Sequence, residues 1–363
     1  MDRFIAKAIK DKCIYVNKDI NVLEKRMLIG DVNLKQAIAK DVVLGLVYTM
    51  LFIGIFNMQY IGWWIGGIIS STTYFLVFSQ LGAMLGGIGG IYAIVLLSNS
   101  AKFQGGETGF FDLKPLKFLE VIPMKTIKAS DVFLIIVIVV FQFPLSNLLN
   151  EFGKSIFGNH TQSFGVLSEK TEFLMFMLAL VIFGPILEEL LIRGFVLHQF
   201  RSYNPVFAII ITTVTFSVMH GNSHQALYTL SSSIVYTIVT FATGSIFASI
   251  LAHVIHNLIV SIFLYYPIEV MTNHWYIVVS CTITTIFLLY YILKKGEGTK
   301  CWVGGKTSLT FPFVYIITFT IFFVMKLLNY SLFIFCILTC MGLMVYKQIS
   351  TGIKASEKKS YWI

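Results

Sequence analysis

Long apolar runs, broken by short polar or basic segments, set the pattern of this chain. They cover about residues 42–58, 73–97, 131–149, 172–203, 206–220, 226–243, 246–266, 274–293, 310–328 and 331–346. Most are close to or above the ~18 residues that cross a hydrocarbon core of about 30 Å as helix. The uncharged stretch from Gly62 to Leu97 would span about 54 Å as one helix, too long for a single crossing. Trp63 and Trp64 mark an interface within it, which leaves 73–97 as the span. Gly82, Gly86 and Gly90 recur at four-residue spacing, a pattern that lets helices pack closely. The expected fold is all-α, a polytopic membrane helix bundle of about 8–10 transmembrane helices.

The breaks divide the chain into four parts. Residues 1–40 read as a cytoplasmic amphipathic lead-in on the membrane surface. Residues 41–130 hold N-terminal transmembrane helices and a polar, lysine-bearing loop over 101–130. Residues 131–266 form a core, and 267–363 add C-terminal transmembrane helices and a basic tail. The segment 150–171 reads as a loop with weak charge. Within 172–203 a kink is expected at Pro185, and Tyr203-Asn204-Pro205 ends the helix.

Composition agrees with this pattern. Of 363 residues, 56% are hydrophobic and 12% charged, against roughly 25% charged in soluble domains. The net charge of +9 is therefore no sign of nucleic-acid binding. Lys and Arg gather in 1–40, 101–130, 190–205, 294–307 and the tail, which places both termini on the cytoplasmic side of a cell membrane and in contact with anionic lipid. The five cysteines form no CxxC pair and no Cys/His metal spacing, so they read as small apolar side chains. The first 40 residues are too polar to contain a signal-peptide apolar region.

Against this apolar ground, ionisable residues inside the runs are costly unless they pair or do chemistry. Glu188, Glu189 and Arg193 interrupt the run from Phe173 to Phe195. On a helix Glu189 and Arg193 are i and i+4 and can pair, while Glu188 is rotated about 100° from Glu189 onto another face. The carboxylate without a local partner suits general acid–base work; the alternative is a charge cluster that binds helices together. His220 closes Phe216-Ser217-Val218-Met219-His220 and serves either as hydrogen-bond glue or as an acid–base group. His253 and Asn257, i and i+4 in His253-Val254-Ile255-His256-Asn257, make a donor face for a developing oxyanion or for interhelical hydrogen bonds.

Depth draws the clusters together. Glu188 lies 15 residues before Tyr203 and His220 15 residues after Pro205, so in an antiparallel hairpin both stand about 22 Å from the turn. From a turn at Thr243-Gly244-Ser245, His253 and Asn257 lie about 12 and 18 Å along, in a neighbouring layer.

EExxxR from Glu188, FxxxH ending at His220 and HxxxN from His253 to Asn257 resemble, in that order, the motifs of the CAAX prenyl protease and bacteriocin-processing (Abi) family. These are glutamate-type intramembrane endopeptidases, and the resemblance covers about residues 130–266. It implies that Glu188 and His220 bind and activate the attacking water, with Glu188 as general base. It implies that Glu189 is held by Arg193 to shape the site, and that His253 and Asn257 stabilise the tetrahedral oxyanion. The implied substrate is a membrane-associated peptide or protein. Two histidines and a carboxylate are zinc-type ligands, yet HExxH is absent and a glutamate-activated water needs no metal, so no cofactor is expected. His224 and His256 offer alternative roles to their neighbours. The same motifs also fit a non-catalytic scaffold or immunity factor, with a partner membrane protein on the N- or C-terminal regions. A transporter is the third reading, although no internal repeat is visible.

Overall fold

The computed structural model describes residues 42, 45, 46, 49, 52–55, 61–68, 75–98, 121–158, 170–201, 203–220, 223–265, 275–296, 298 and 310–327. The lead-in over 1–40, most of the 101–130 loop, the 331–346 span and the basic tail lie outside them. The helices are α1 (Phe75–Ser98), α2 (Ala129–Phe157), α3 (170–199), α4 (Pro205–Met219), α5 (Ser223–Thr243), α6 (Ile246–Tyr265), α7 (Trp275–Lys295) and α8 (Thr310–Leu327). No strand occurs among the described residues. The protein is an all-α membrane bundle. Among the described residues five helices, in α2, α3, α5, α6 and α7, are long and apolar enough to cross a bilayer. Shorter apolar helices run over Val77–Ala93, Pro205–Met219 and Pro312–Ile321.

The chain divides into two compact units, one drawn from Met1–Ile53, Arg201–Pro205 and Lys300–Ile363, the other from Gly54–Phe200 and Val206–Thr299. In the first, Thr49 and Thr318 share a 2.8 Å hydrogen bond, and the Phe52 and Phe319 rings meet edge to face at 5.4 Å. The second unit holds α1 to α7. Its core is built where α2, α5, α6 and α7 turn Ile135, Val139, Val235, Val239, Ala248, Ala252 and Ile292 towards one another. The outer face of α7 stays apolar, with Ile283, Ile286 and Phe287 exposed and aromatic pairs near its two ends, Trp275 with Tyr276 and Tyr290 with Tyr291. That arrangement suits a lipid-facing helix with interfacial belts.

Several boundaries differ from the sequence expectation. α2 runs on through Asn150, Glu151 and Lys154 to Phe157, although the sequence pattern over 150–157 reads as loop. A Lys154–Glu151 ion pair of 2.6 Å at i, i+3 supports that polar last turn, and Gly158 ends the helix with φ 81°. α5 begins at Ser223, so His224 is helical. The turn at 243–245 is as expected: Gly244 takes φ 68°, a conformation glycine adopts without strain. The Ser245 hydroxyl accepts from Phe247 N–H at 3.3 Å and starts α6. The same hydroxyl donates to Lys125 O, and Ile246 N–H donates to Pro123 O at 2.9 Å, tying the segment before α2 over this turn. The glycines of α1 serve close packing: a Cβ at Gly82 would strike the Gly62 carbonyl, and one at Gly87 would strike Leu187.

Candidate active site

α3 is the irregular element of the bundle. It is α-helical over Lys170–Met177, π-helical over Leu178–Phe183, α-helical over Gly184–Glu189 and π-helical again over Leu190–Val196. Pro185 accounts for the first change. Its ring crowds the carbonyl four residues back and it brings no N–H, so the helix widens ahead of it instead of continuing in α register. Gly184 N–H accordingly bonds to Ala179 O, five residues back. Glu188 and Glu189 follow within one turn of this disturbance.

The two carboxylates part at once. Glu189 is fully enclosed, whereas the Glu188 side chain is 26% exposed. Arg193 Nη1 donates to Glu189 Oε1 at 2.9 Å, and Arg193 Nη2 donates to the Ser233 carbonyl at 3.0 Å and hydroxyl at 2.7 Å. The guanidinium lies over the Phe216 ring at 4.7 Å and near the Tyr236 ring at 5.3 Å, positions in which an aromatic face attracts a cation. Neutralised on one side and stacked on the other, this buried arginine has the partners its charge requires.

His253 completes that layer. Its Nδ1–H donates to Glu189 Oε1 at 2.9 Å, while the Tyr236 ring stacks on it at 4.8 Å and 24° and Phe216 meets it edge-on at 5.7 Å. With Nδ1 held, Nε2 faces Glu188 Oε2 at 3.8 Å. His220 mirrors this from α4: Nδ1–H donates to Phe216 O at 2.7 Å, and Nε2 stands 3.9 Å from the same Glu188 oxygen. Each imidazole is fixed through one nitrogen and turns the other towards Glu188.

The structure thus gathers Glu188, Glu189, Arg193, His220 and His253 around one point. Asn257 lies a turn along α6 from His253, and its Nδ2 donates to Leu180 O at 2.9 Å. His253 stands in the layer of Glu188, not a neighbouring one. Its side chain reaches the carboxylate at 3.8 Å, a contact that a count of residues from the turn does not give. The other two histidines go elsewhere. His224 Nε2 donates to Asn150 O at 3.1 Å and Oδ1 at 2.9 Å, and His256 is buried against the Phe143 and Tyr236 rings at 5.9 and 6.3 Å. Sequence reasoning missed Ser233 and Tyr236, both on α5 and in no motif. The signal available was indirect: a buried arginine needs acceptors beyond one carboxylate, and the Ser231-Ser232-Ser233 run offered them. Among the described residues no group of three His, Cys, Asp or Glu side chains is arranged to hold a metal ion.

Fold and side chains define a membrane-embedded site with acid–base groups around one partly exposed carboxylate. Residues 170–259 match the family model of the type II CAAX prenyl endopeptidases, Rce1-like, which supports the CAAX-protease family for this segment. That family is one of intramembrane proteases, and the chain is a multi-pass membrane protein. No curated protein and no solved structure gives a match.

Proposed function

We propose that the protein hydrolyses a peptide bond of a membrane-associated peptide or protein with water activated by Glu188 and His220. The observation that carries this reading is the pair of Nε2 atoms facing one Glu188 oxygen at 3.9 and 3.8 Å. Groups so spaced can each hold the same oxygen atom at about 2.8 Å. Glu188 takes a proton from the water as its oxygen bonds to the substrate carbonyl carbon, and the carbonyl π electrons move onto oxygen. His253, held through Nδ1 by Glu189, turns Nε2 towards that oxyanion as its donor. Collapse of the adduct breaks the C–N bond, and the departing amine takes the proton from Glu188. Arg193, Ser233 and Tyr236 hold Glu189 and His253 in place. The reaction needs no metal or other cofactor, since Glu188 supplies the base.

Lysine placement supports a cell-membrane location with both termini cytoplasmic. Lipid covers the exposed face of α7, a second membrane protein is accommodated on the N- or C-terminal regions, and nucleic acid is no partner. The test is cleavage of membrane peptides by the purified full chain in detergent. Glu188→Gln and Glu188→Ala are expected to lose turnover while keeping the wild-type melting temperature, and the peptides accumulating in cells that carry Glu188→Gln name the substrate. Undiminished cleavage by either variant would sink the reading. Absence of cleavage by the parent chain, with Glu188→Gln leaving cells unaltered, would favour a scaffold.

A further inference from the structure

We infer that Asn257 completes the backbone of α3 at Pro185 and in this way positions Glu188. The π register ahead of Pro185 runs in five-residue steps, as the bond from Gly184 N–H to Ala179 O displays. The next bond in that register would run from residue 185 to Leu180 O, and proline has no N–H to give. A carbonyl left in this way within an apolar bundle calls for another donor. Asn257 Nδ2 provides it at 2.9 Å.

The geometry makes α6 a two-point clamp on α3. Asn257 grips Leu180 and His253 grips Glu189, one contact on each side of Pro185, with Glu188 between them. A carboxamide is suited to the first contact because an amide N–H reproduces the missing backbone donor. Without it the π-helical stretch ahead of Glu188 would lose the bond that fixes where the next turn starts. Misplacement of a catalytic group by about 1 Å can cost 10²-fold in rate, so this contact with the α3 backbone can be needed for turnover.

The kinetic part of the test rests on the hydrolytic reading, and the stability part does not. The full chain, Pro185→Ala, Asn257→Ala and the double variant are purified in detergent and compared in turnover and melting temperature. Asn257→Ala in the parent chain is expected to lower kcat about 10- to 100-fold with little change in KM and to lower the melting temperature. In the Pro185→Ala background the residue-185 N–H reaches Leu180 O, so the same replacement should cost several-fold less in kcat and little in melting temperature. Equal losses of kcat in both backgrounds would assign Asn257 to the substrate and overturn the inference. Should Pro185→Ala fail to fold, Asn257→Asp decides: it sets an acceptor against the Leu180 carbonyl and should melt at or below Asn257→Ala, whereas a wild-type melting temperature refutes the clamp. Should the parent chain show no turnover, the melting temperatures still test the clamp while the hydrolytic reading falls.

Discussion

Two polar regions inside the apolar bundle of α1 to α7 invite comparison. The seam between α2 and α5 carries Gln142 Nε2 on the Ser231 and Ser232 hydroxyls at 3.0 and 3.3 Å, Ser146 against Ser232 at 3.4 Å, and His224 on Asn150. All are donors and acceptors within hydrogen-bond reach, and together they join helices. The Glu188 site is built from ionisable groups and is closed on one side only. Glu189, Arg193 and His253 meet at 2.9 Å, while the histidine nitrogens stop 3.8 to 3.9 Å short of Glu188. Polar residues in a membrane helix thus divide by what their geometry leaves over. A set whose donors are spent on bonds between helices is adhesive, whereas a fixed set facing a partly exposed carboxylate has capacity for chemistry.

The sharpest way to break this comparison uses two histidines four residues apart. His220→Gln is expected to lower turnover about 10²- to 10⁴-fold, the usual contribution of a positioned acid–base group, with a near-parental melting temperature. His224→Ala should do the reverse, leaving turnover per folded molecule unchanged and destabilising by about 0.5–1.5 kcal/mol through loss of its bonds to Asn150. Thermal unfolding and single-turnover cleavage on both variants give the answer, and loss of turnover in His224→Ala would dissolve the distinction.

The sequence could not make that division, because His220 and His224 stand in similar surroundings along the chain. What it did carry was local. The apolar runs located the helices, Gly244 and Ser245 located a turn, and the i, i+4 spacing of Glu189 and Arg193 read directly as a pair. Residue counts from the helix break also brought His220 level with Glu188. Legibility ended where structure departs from straight α-helices or depends on a remote partner. His253 meets Glu188 where a residue count put it in a neighbouring layer, and Ser233 and Tyr236 reach Arg193 and His253 from a helix that holds none of the motifs. The Asn257 bond to Leu180 exists only because Pro185 follows a π stretch, and neither motif nor propensity states that.

The closed side of the site can be tested through its charge. Arg193→Met keeps much of the stem volume and the stacking against Phe216 but leaves Glu189 buried with one partner, His253. Removing one member of a buried pair costs about 3–5 kcal/mol. The chain should therefore melt much lower and lose turnover through His253. Glu189→Gln combined with Arg193→Met removes the uncompensated charge and should recover part of the stability without recovering turnover. Recovery of both would mean that Glu189 and Arg193 only join helices, as Gln142 does.

The smallest expected effect lies on the seam itself. Gln142 makes two hydrogen bonds to hydroxyls, and interhelical bonds of this kind in a membrane average about 0.6 kcal/mol with a maximum near 1.7. The partners also have other outlets: the Ser231 hydroxyl donates to Tyr228 O at 2.9 Å, and Ser232 still faces Ser146 at 3.4 Å. Gln142→Leu replaces the carboxamide with an apolar group of similar size in a buried position and leaves no charge stranded. It should shift stability by less than about 1 kcal/mol and leave turnover per folded molecule intact. A double-mutant cycle with Ser232→Ala measures the pairwise coupling. A coupling several times larger, or one that appears in kcat, would show that the seam transmits to the Glu188 site through the α5 face that carries Ser233 and Tyr236, and the two regions would then have to be treated as one network.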